Sequence, residues 1–435
     1  MATLTDAQLT SIAERIFIMG DRTTTRLPKP ANTGPAPFTT ALDAIAADAR
    51  FKDAGIGVID FTEFPGKPPK VWLSKKADQP FRIGSASKIA VMLAAVQLRL
   101  DVRRILDLHI ISTADEFNAL YADRKLWKKA KSPQSEMQQI ANSPPLVSEI
   151  FDFSKTPIDF DGPDPDKQTD AAHRKVIVDK LPADHELAWD LRPLFPFSER
   201  LWLTGSLSDN VAATACASEI GTPYIKAVQR AYGLADSANG MHLLASGLYT
   251  SVPKKTTPPS PPAPRPLAHV EPIPVNDAFF DASTRTFSDH LSWVPGSAAA
   301  LTAFMLALIG DKFVEDPAVL VGGLAGCTTI RNNLADKLGP SIESFMADEI
   351  GKITTIKKQI NKIGILKRSD GAESPLLCEF LYLETKESHS AAHPDKELKY
   401  AVVVTGLVTT SGAGHGAVAK GRALATAVHN ALVAL

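Results

Sequence analysis

The sequence predicts an α/β (α+β) fold in which one antiparallel sheet, flanked by helices, carries an inserted all-helical domain. Strand-like segments occur near both ends of the 435-residue chain, and a long, mostly helical stretch separates them. Strands so distant in sequence share a sheet only if the residues between them form a unit of their own. We therefore predict an α/β sheet domain of residues 1–87 and 346–435, with an inserted, mainly helical domain of residues 88–345.

In the first half of the chain, the elements follow from hydrophobic periodicity and turn residues. Residues 39–51 have apolar positions at helical spacing, and two strands joined by a Pro/Gly turn follow, AGIGVIDF and PKVWLSKK. Helical periodicity resumes from Lys88 to Leu108. Residues 211–234 predict two helices, because Gly221-Thr222-Pro223 ends one helix and starts another.

The second half begins with an interruption and ends in strands. Residues 252–275 are so rich in proline that they lack the N–H donors of a helix or a central strand, and we expect an extended surface excursion. An apolar helix is predicted over residues 296–309. Three strands follow, INKIGILKR, PLLCEFLYLET and KYAVVVTGLV, and the last segment, residues 416–435, predicts an amphipathic helix.

The charge balance and the lengths of the apolar runs limit the kinds of binding partner that we expect. The chain has 47 basic and 48 acidic residues and a net charge of −1, which argues against a nucleic-acid partner and favours a small-molecule or peptide substrate. No apolar run reaches the ~18 to 20 residues of a membrane span. The N-terminus lacks the pattern of a signal peptide, so we predict a cytoplasmic protein, or a periplasmic or secreted one if a leader has been removed. The composition leaves the oligomeric state open.

The cysteines and histidines predict neither a metal nor a cofactor. Cys216, Cys327 and Cys378 lie far apart and form no CxxC pair, so we interpret them as buried free thiols. His389 and His393 have the i, i+4 spacing of zinc ligands, but the segment reads as a polar loop between strands.

A glycine-rich segment near the C-terminus matches a dinucleotide-binding pattern only in part. Gly412, Gly414 and Ala417 fit GxGxxA between a strand and a helix. No Asp or Glu follows Glu397 and no second βαβ strand exists, so the pattern does not predict a nucleotide site.

The segment FRIGSASKIAVMLAAVQLR contains a candidate nucleophile. Ser85 and Lys88 have i, i+3 spacing at the start of a predicted helix, which brings their side chains to the same face. A serine hydroxyl needs an adjacent base, and a desolvated lysine can be that base. The alternative is an N-capping serine with a solvated lysine. Ser251 and Lys254 also fit SxxK, but at the edge of the proline-rich tract no helix can hold the pair.

Two further motifs follow in order. Ser208-Asp209-Asn210 begins a predicted helix, and Lys362-Ile363-Gly364 lies in a predicted strand. Together with Ser85 and Lys88, they resemble the three active-site motifs of the serine β-lactamases and penicillin-binding D-alanyl-D-alanine peptidases. Ser237-Ala238-Asn239 is a competing SxN match, and Asp209 has the alternative role of a helix cap.

The resemblance implies a β-lactamase/transpeptidase-like fold and four catalytic residues. Ser85 would be the acylated nucleophile, and Lys88 its base. Ser208 would relay a proton, and Lys362 would supply positive charge near Ser208 and the substrate carboxylate.

Substrate binding is implied for three further residues. Asn210 would donate to the substrate amide, and Gly364 would let the substrate approach the strand edge. The N–H groups of Ile365 and Ser85 would form the oxyanion hole.

The predicted function is therefore a serine hydrolase that acts on a β-lactam or related amide or ester through an acyl-enzyme. The family carries Thr or Ser where this chain has Ile363, so whether β-lactams are bound stays open. Glu271-Pro272 and Asn276 resemble, with one extra residue, the loop that holds the deacylating glutamate of class A enzymes. The alternatives are a catalytically silent binding protein of this fold and a general serine esterase.

Overall fold

A computed structural model describes most of the chain. The described residues are 4–20, 26–131, 135–163, 194–243, 295–310, 329–331, 333–334, 344–365, 376–386, 397–409 and 416–435. Several predictions lie outside these ranges: the proline-rich excursion 252–275, the second SxxK pair Ser251 and Lys254, Glu271 with Pro272 and Asn276, Cys327, His389, His393, Gly412 and Gly414.

Five strands form one antiparallel sheet in the order β2-β1-β9-β8-β7. The described strands are β1 (Gly55–Asp60), β2 (Lys70–Leu73), β3 (Phe81–Arg82), β4 (Phe151–Asp152), β5 (Asp159–Phe160), β6 (Pro295–Gly296), β7 (Thr355–Ile365), β8 (Leu376–Lys386) and β9 (Glu397–Val408). The sheet thus joins strands from both ends of the chain, which confirms the predicted fold class. Within it, β9 is the strand that connects the first two strands to β8 and β7.

Helices cover the sheet and form much of the described chain between β2 and β7. The described α-helices are α1 (Asp6–Ala13), α2 (Ala36–Ala47), α3 (Lys88–Leu106), α4 (Ala114–Ala122), α5 (Arg124–Trp127), α6 (Ser135–Ile140), α7 (Val147–Ile150), α8 (Phe197–Ser206), α9 (Asn210–Ile220), α10 (Thr222–Ala231), α11 (Ala298–Ile309), α12 (Phe345–Ile350) and α13 (Ala417–Ala434). The middle region is not purely helical, because the two-residue strands pair as β3 with β6 and β4 with β5.

Each face of the sheet is buried in its own hydrophobic core. Along β8, Cys378 and Phe380 enter a first core with α3, α10 and α11, whereas Leu377 and Leu381 enter a second core with α2, α12 and α13. This alternation follows from the two-residue period of a strand. A β-strand that is apolar on both faces is typical of a central sheet covered by helices on either side.

The break between α9 and α10 confirms the interpretation of Gly221-Thr222-Pro223. Gly221 has φ +84°, a conformation that favours glycine, and ends α9. Pro223 lies in the first turn of α10, where its missing N–H costs no helical hydrogen bond.

Two cysteines are free and buried, as predicted. They are Cys216 and Cys378. Burial raises the pKa of the Cys216 thiol to about 12 and also raises the pKa of Cys378. Both side chains are therefore packing groups with little thiolate character.

None of the helices in the described part of the chain combines the length and the hydropathy that a membrane crossing requires.

Candidate active site

Ser85 lies in a short 3-10 turn that connects β3 to α3. The turn covers Gly84–Ser87, and α3 begins at Lys88 with Ser87 as its N-cap residue. Ser85 is therefore not the N-cap residue of α3. Its side chain is half-buried, and in the described part of the chain its hydroxyl makes no hydrogen bond.

Lys88 points into the protein and not into solvent. The residue is 0% exposed, although charged side chains are almost never fully buried unless they are paired. Its Nζ donates to the Asn210 Oδ1 at 2.7 Å, to the Ser208 Oγ at 3.2 Å and to the Ser208 carbonyl oxygen. The SxxK lysine is thus held by the serine and the asparagine of the SDN motif.

The SDN motif is a tight connection between α8 and α9. Ser208 has φ +55°, an unusual backbone conformation for a residue other than glycine. Asp209 is the N-cap of α9, and its carboxylate accepts from the Ala212 N–H at 2.6 Å. This cap fixes the start of α9, and the residues on either side of Asp209, Ser208 and Asn210, both contact Lys88.

Lys362 reaches the same serine from the sheet. Its side chain is also 0% exposed, and its Nζ donates to the Ser208 Oγ. The hydroxyl of Ser208 therefore accepts from two buried lysines that come from α3 and from β7. Since a hydroxyl has two acceptor lone pairs and one hydrogen, these contacts leave the Ser208 hydrogen available for donation.

Strand alternation separates Ile363 from the site. Lys362 and Gly364 pair with Phe380 and Cys378 of β8, whose side chains lie in the first core. Ile363 is 5% exposed and packs in the second core, on the other face of the sheet. The strand therefore offers no hydroxyl at this position, and the isoleucine side chain serves packing beneath the sheet.

The end of β7 packs directly against the serine turn. A Cβ atom on Gly364 would lie 1.8 Å from the Ile83 carbonyl oxygen and 3.1 Å from the Ala86 nitrogen. A Cβ on Gly84 would lie 3.6 Å from the Ile365 nitrogen and 3.3 Å from its oxygen. Among the described strands β7 lies at the edge of the sheet, and its outer edge runs alongside this turn.

The competing serine motif lies elsewhere. Ser237, Ala238 and Asn239 form an exposed 3-10 turn, in which the Asn239 amide donates to the Asp236 carboxylate. In the described part of the chain, no three His, Cys, Asp or Glu side chains come close enough to hold a metal ion.

Sequence reasoning missed two residues of the turn. Gly84 has φ +50°, and the Ser87 Oγ donates to the Gly84 carbonyl oxygen at 2.8 Å. A glycine directly before the candidate nucleophile was the available signal, because glycine often marks a left-handed turn. Ser87 carried no such signal, since serine at a helix start is common.

No protein-family model and no curated protein matches the sequence. Solved structures are similar to it. One is a class A β-lactamase from Bacteroides cellulosilyticus DSM 14838, at 11% identity and a TM-score of 0.43, with 92% of this chain and 100% of that chain covered. The extended-spectrum β-lactamase TLA-1 has the same identity and coverage and a TM-score of 0.44.

A third similar structure is a β-lactamase from Streptosporangium roseum, at 11% identity and a TM-score of 0.37, with 92% of this chain and 100% of that chain covered. The chain is similar in fold to serine β-lactamases. These likenesses concern the fold alone, and the chemistry below depends on the contacts around Ser85, Lys88, Ser208 and Lys362.

Proposed function

We propose that this protein is a serine hydrolase that forms an acyl-enzyme at Ser85 and acts on a β-lactam or a related amide or ester. One observation carries the proposal: two fully buried lysines, Lys88 and Lys362, donate to the hydroxyl of Ser208. Burial of a cation costs several kcal/mol, and a packing role would be filled at less cost by apolar side chains. Proton transfer at the Ser208 hydroxyl would account for the two buried lysines beside it.

In the proposed acylation, the Ser85 Oγ attacks the carbonyl carbon of the substrate. Lys88 takes the Ser85 proton in its neutral form, which has two N–H hydrogens and therefore donates to only two of the three oxygens around it. The negative charge that develops on the carbonyl oxygen is held by the N–H groups of Ser85 and Ile365. The contacts of Gly84 and Gly364 support this assignment, because they bring the serine turn and the end of β7 together.

Collapse of the tetrahedral intermediate breaks the bond to the leaving nitrogen or oxygen. The Ser208 hydroxyl donates its proton to the leaving group and recovers a proton from Lys88, which received it from Ser85. Lys362 stabilises the negative charge that this transfer brings to the Ser208 Oγ. The products of this half-reaction are an ester on Ser85 and an amine or alcohol, which departs from an acyclic substrate and stays attached to the acyl group when a β-lactam ring opens.

Hydrolysis of the ester then requires a water molecule and a base. Attack of water on the acyl carbon releases the acid and returns the proton to Ser85. The candidate glutamate for this step, Glu271, lies outside the described residues. A protein that acylates quickly and hydrolyses slowly would behave as a peptidase or transferase of this fold.

A specific observation favours a second candidate function, a binding protein without turnover. Lys88 donates to Ser208 and Asn210, whereas the Ser85 hydroxyl makes no hydrogen bond to any described residue. Because nucleophile and base are often farther apart in a free enzyme than in its substrate complex, the same geometry does not contradict the proposed hydrolase. Covalent labelling separates the two.

The test is intact-protein mass spectrometry after incubation with a penicillin or with a fluorophosphonate. We expect a covalent adduct on the wild-type protein and none on Ser85→Ala, whereas Ser112→Ala, which removes an exposed serine, keeps the adduct. A fluorophosphonate adduct without a penicillin adduct would favour an esterase. The absence of any adduct on the wild-type protein would favour the binding protein and contradict the proposal.

A further inference from the structure

We propose that Ser87 is a positioning residue, which holds the Gly84–Ser85 peptide so that the N–H of Ser85 is presented to the oxyanion. The inference rests on the proposed acyl-enzyme function and adds a residue that the three motifs do not contain. It starts from one contact: the Ser87 hydroxyl, fully buried, donates to the carbonyl oxygen of Gly84 at 2.8 Å.

The carbonyl of Gly84 and the N–H of Ser85 belong to the same peptide group. A trans peptide is planar, and its C=O and N–H bonds point in opposite directions. When Ser87 binds the carbonyl oxygen on one side, it therefore directs the Ser85 N–H to the other side. In the described part of the chain this N–H donates to no acceptor, so it is available to an oxygen of the substrate.

The peptide needs such a restraint because it follows a glycine. Gly84 has φ +50°, and glycine adopts positive and negative φ with similar ease. Rotation of the Gly84–Ser85 peptide would turn the carbonyl oxygen toward the negative charge that develops in the reaction. The hydrogen bond from Ser87 disfavours this rotated state, in which the oxyanion would lose one donor and face an acceptor.

The test compares three substitutions of Ser87. Ser87→Ala and Ser87→Cys remove the strong donor, and Cys keeps nearly the same volume, whereas Ser87→Thr keeps the hydroxyl. Labelling by a fluorophosphonate is followed over a range of concentrations, which separates the maximal rate from the half-saturating concentration. Thermal unfolding of each variant reports on the fold.

We expect the maximal labelling rate to fall about tenfold in Ser87→Ala and Ser87→Cys, a part of the ~10² to 10³ that removal of an oxyanion donor costs. The half-saturating concentration should stay close to the wild-type value, and Ser87→Thr should restore most of the rate. Ser198→Ala is the matched control, because Ser198 is equally buried and its hydroxyl has no hydrogen-bond partner in the part of the chain that the structure describes.

Three outcomes overturn the inference. A wild-type rate in Ser87→Ala would mean that the hydrogen bond does not position the peptide. An equal loss in all three variants would assign Ser87 to packing. If Ser87→Ala does not fold, Ser87→Cys and Ser87→Thr are compared with each other, and equal maximal labelling rates in these two variants would exclude a role of the hydroxyl. If the wild-type protein itself is not labelled, the proposed function is overturned as well. A failure of the Ser87 inference alone is distinguished from this case because the wild-type protein is then still labelled.

Discussion

Gly364 lies so close to Ile83 that a Cβ atom on the glycine would be 1.8 Å from the Ile83 carbonyl oxygen. This contact joins β7, which carries Lys362, to the turn that carries Ser85. Backbone meets backbone here, so no flexible side chain can move aside to make room.

Gly364→Ala should therefore abolish covalent labelling of Ser85 and lower the thermal unfolding midpoint. The added methyl group forces the turn and the strand apart, and a displacement of about 1 Å at a reacting group costs on the order of 10²-fold in rate. Gly351→Ala is the control, since the nearest atom to its Cβ would be 3.4 Å away. Labelling of Gly364→Ala at the wild-type rate would show that the contact does not hold the site together.

Ser208→Ala should lower the rate of acylation by orders of magnitude. The substitution removes the hydroxyl that accepts from both Lys88 and Lys362 and that donates to the leaving group in the proposed reaction. Ser206→Ala removes a buried hydroxyl that makes no hydrogen bond within the described ranges, and this variant should label like the wild-type protein. Stopped-flow or quenched labelling measures both rates, and a near-normal rate in Ser208→Ala would reject the relay.

Stability should decrease as the pH rises from about 4 to about 7, because of Asp101. This fully buried carboxyl accepts from the Phe17 N–H at 3.1 Å, from the Gln97 amide at 2.9 Å and from the Tyr224 hydroxyl at 2.8 Å. Burial is the largest effect on its pKa and raises it from 3.8 to about 7. Between these two values the unfolded chain releases the proton, whereas the folded protein keeps it.

The Asp101 contribution is therefore complete below pH 4 and is lost as the pH passes 7, by on the order of 4 kcal/mol in the free energy of unfolding. Asp101→Asn should remove this slope and still fold, because its oxygen can accept from Phe17 and Gln97 while its amide donates to the Tyr224 oxygen. Urea unfolding at pH 5 and pH 7.5 measures the slope, with Asp43→Asn as a surface control. If the free energy of unfolding of Asp101→Asn depends on pH as in the wild-type protein, other groups cause that dependence.

Gly57 and Thr302 should be strongly coupled in stability. A Cβ on Gly57 of β1 would lie 2.1 Å from the Thr302 Oγ1 of α11, a buried hydroxyl that has no hydrogen-bond partner among the described residues. Gly57→Ala should cost about 1 to 3 kcal/mol through overpacking. In the double variant with Thr302→Ala, the new methyl group occupies the vacated space, so most of this loss should be recovered.

The double-mutant cycle should give a coupling of at least about 1 kcal/mol, measured by urea unfolding. Combining Gly57→Ala with Ser198→Ala, a buried substitution on α8, should give additive effects. Additive effects in the Thr302 pair as well would mean that the strand and the helix separate freely to accommodate the methyl group.

Much of the fold could be predicted because single segments carry their own signals. The helix break at Gly221 and the strand β8 follow from local patterns, and each appears in the structure where the sequence indicated it. The convergence of Lys88 and Lys362 on Ser208 is not local, since 154 residues separate Ser208 from Lys362. It entered the sequence analysis only through the resemblance to a known family.

Other features could not be predicted, because they depend on which distant elements meet. Asp101 has partners on the segment before α2 and on α10, and nothing in the sequence around it indicates either one. Whether Ile363 faces the site or the second core is decided by the register of β7 against β8. Periodicity alone gives two faces and does not say which face meets which core.

The position of β9 in the sheet also has a consequence for how the protein is made. Gly55 of β1 pairs with Thr405 of β9, which is 350 residues later in the chain. β1 and β2 therefore cannot join β8 and β7 in one sheet until β9 has been synthesised and has left the ribosome. The turn with Ser85 is synthesised early, whereas Lys362 reaches its final position only after β7, β8 and β9 have paired. A nascent chain therefore carries the serine long before the second lysine is in place, and the proposed reactivity at Ser85 should appear as a late event that reports completed folding.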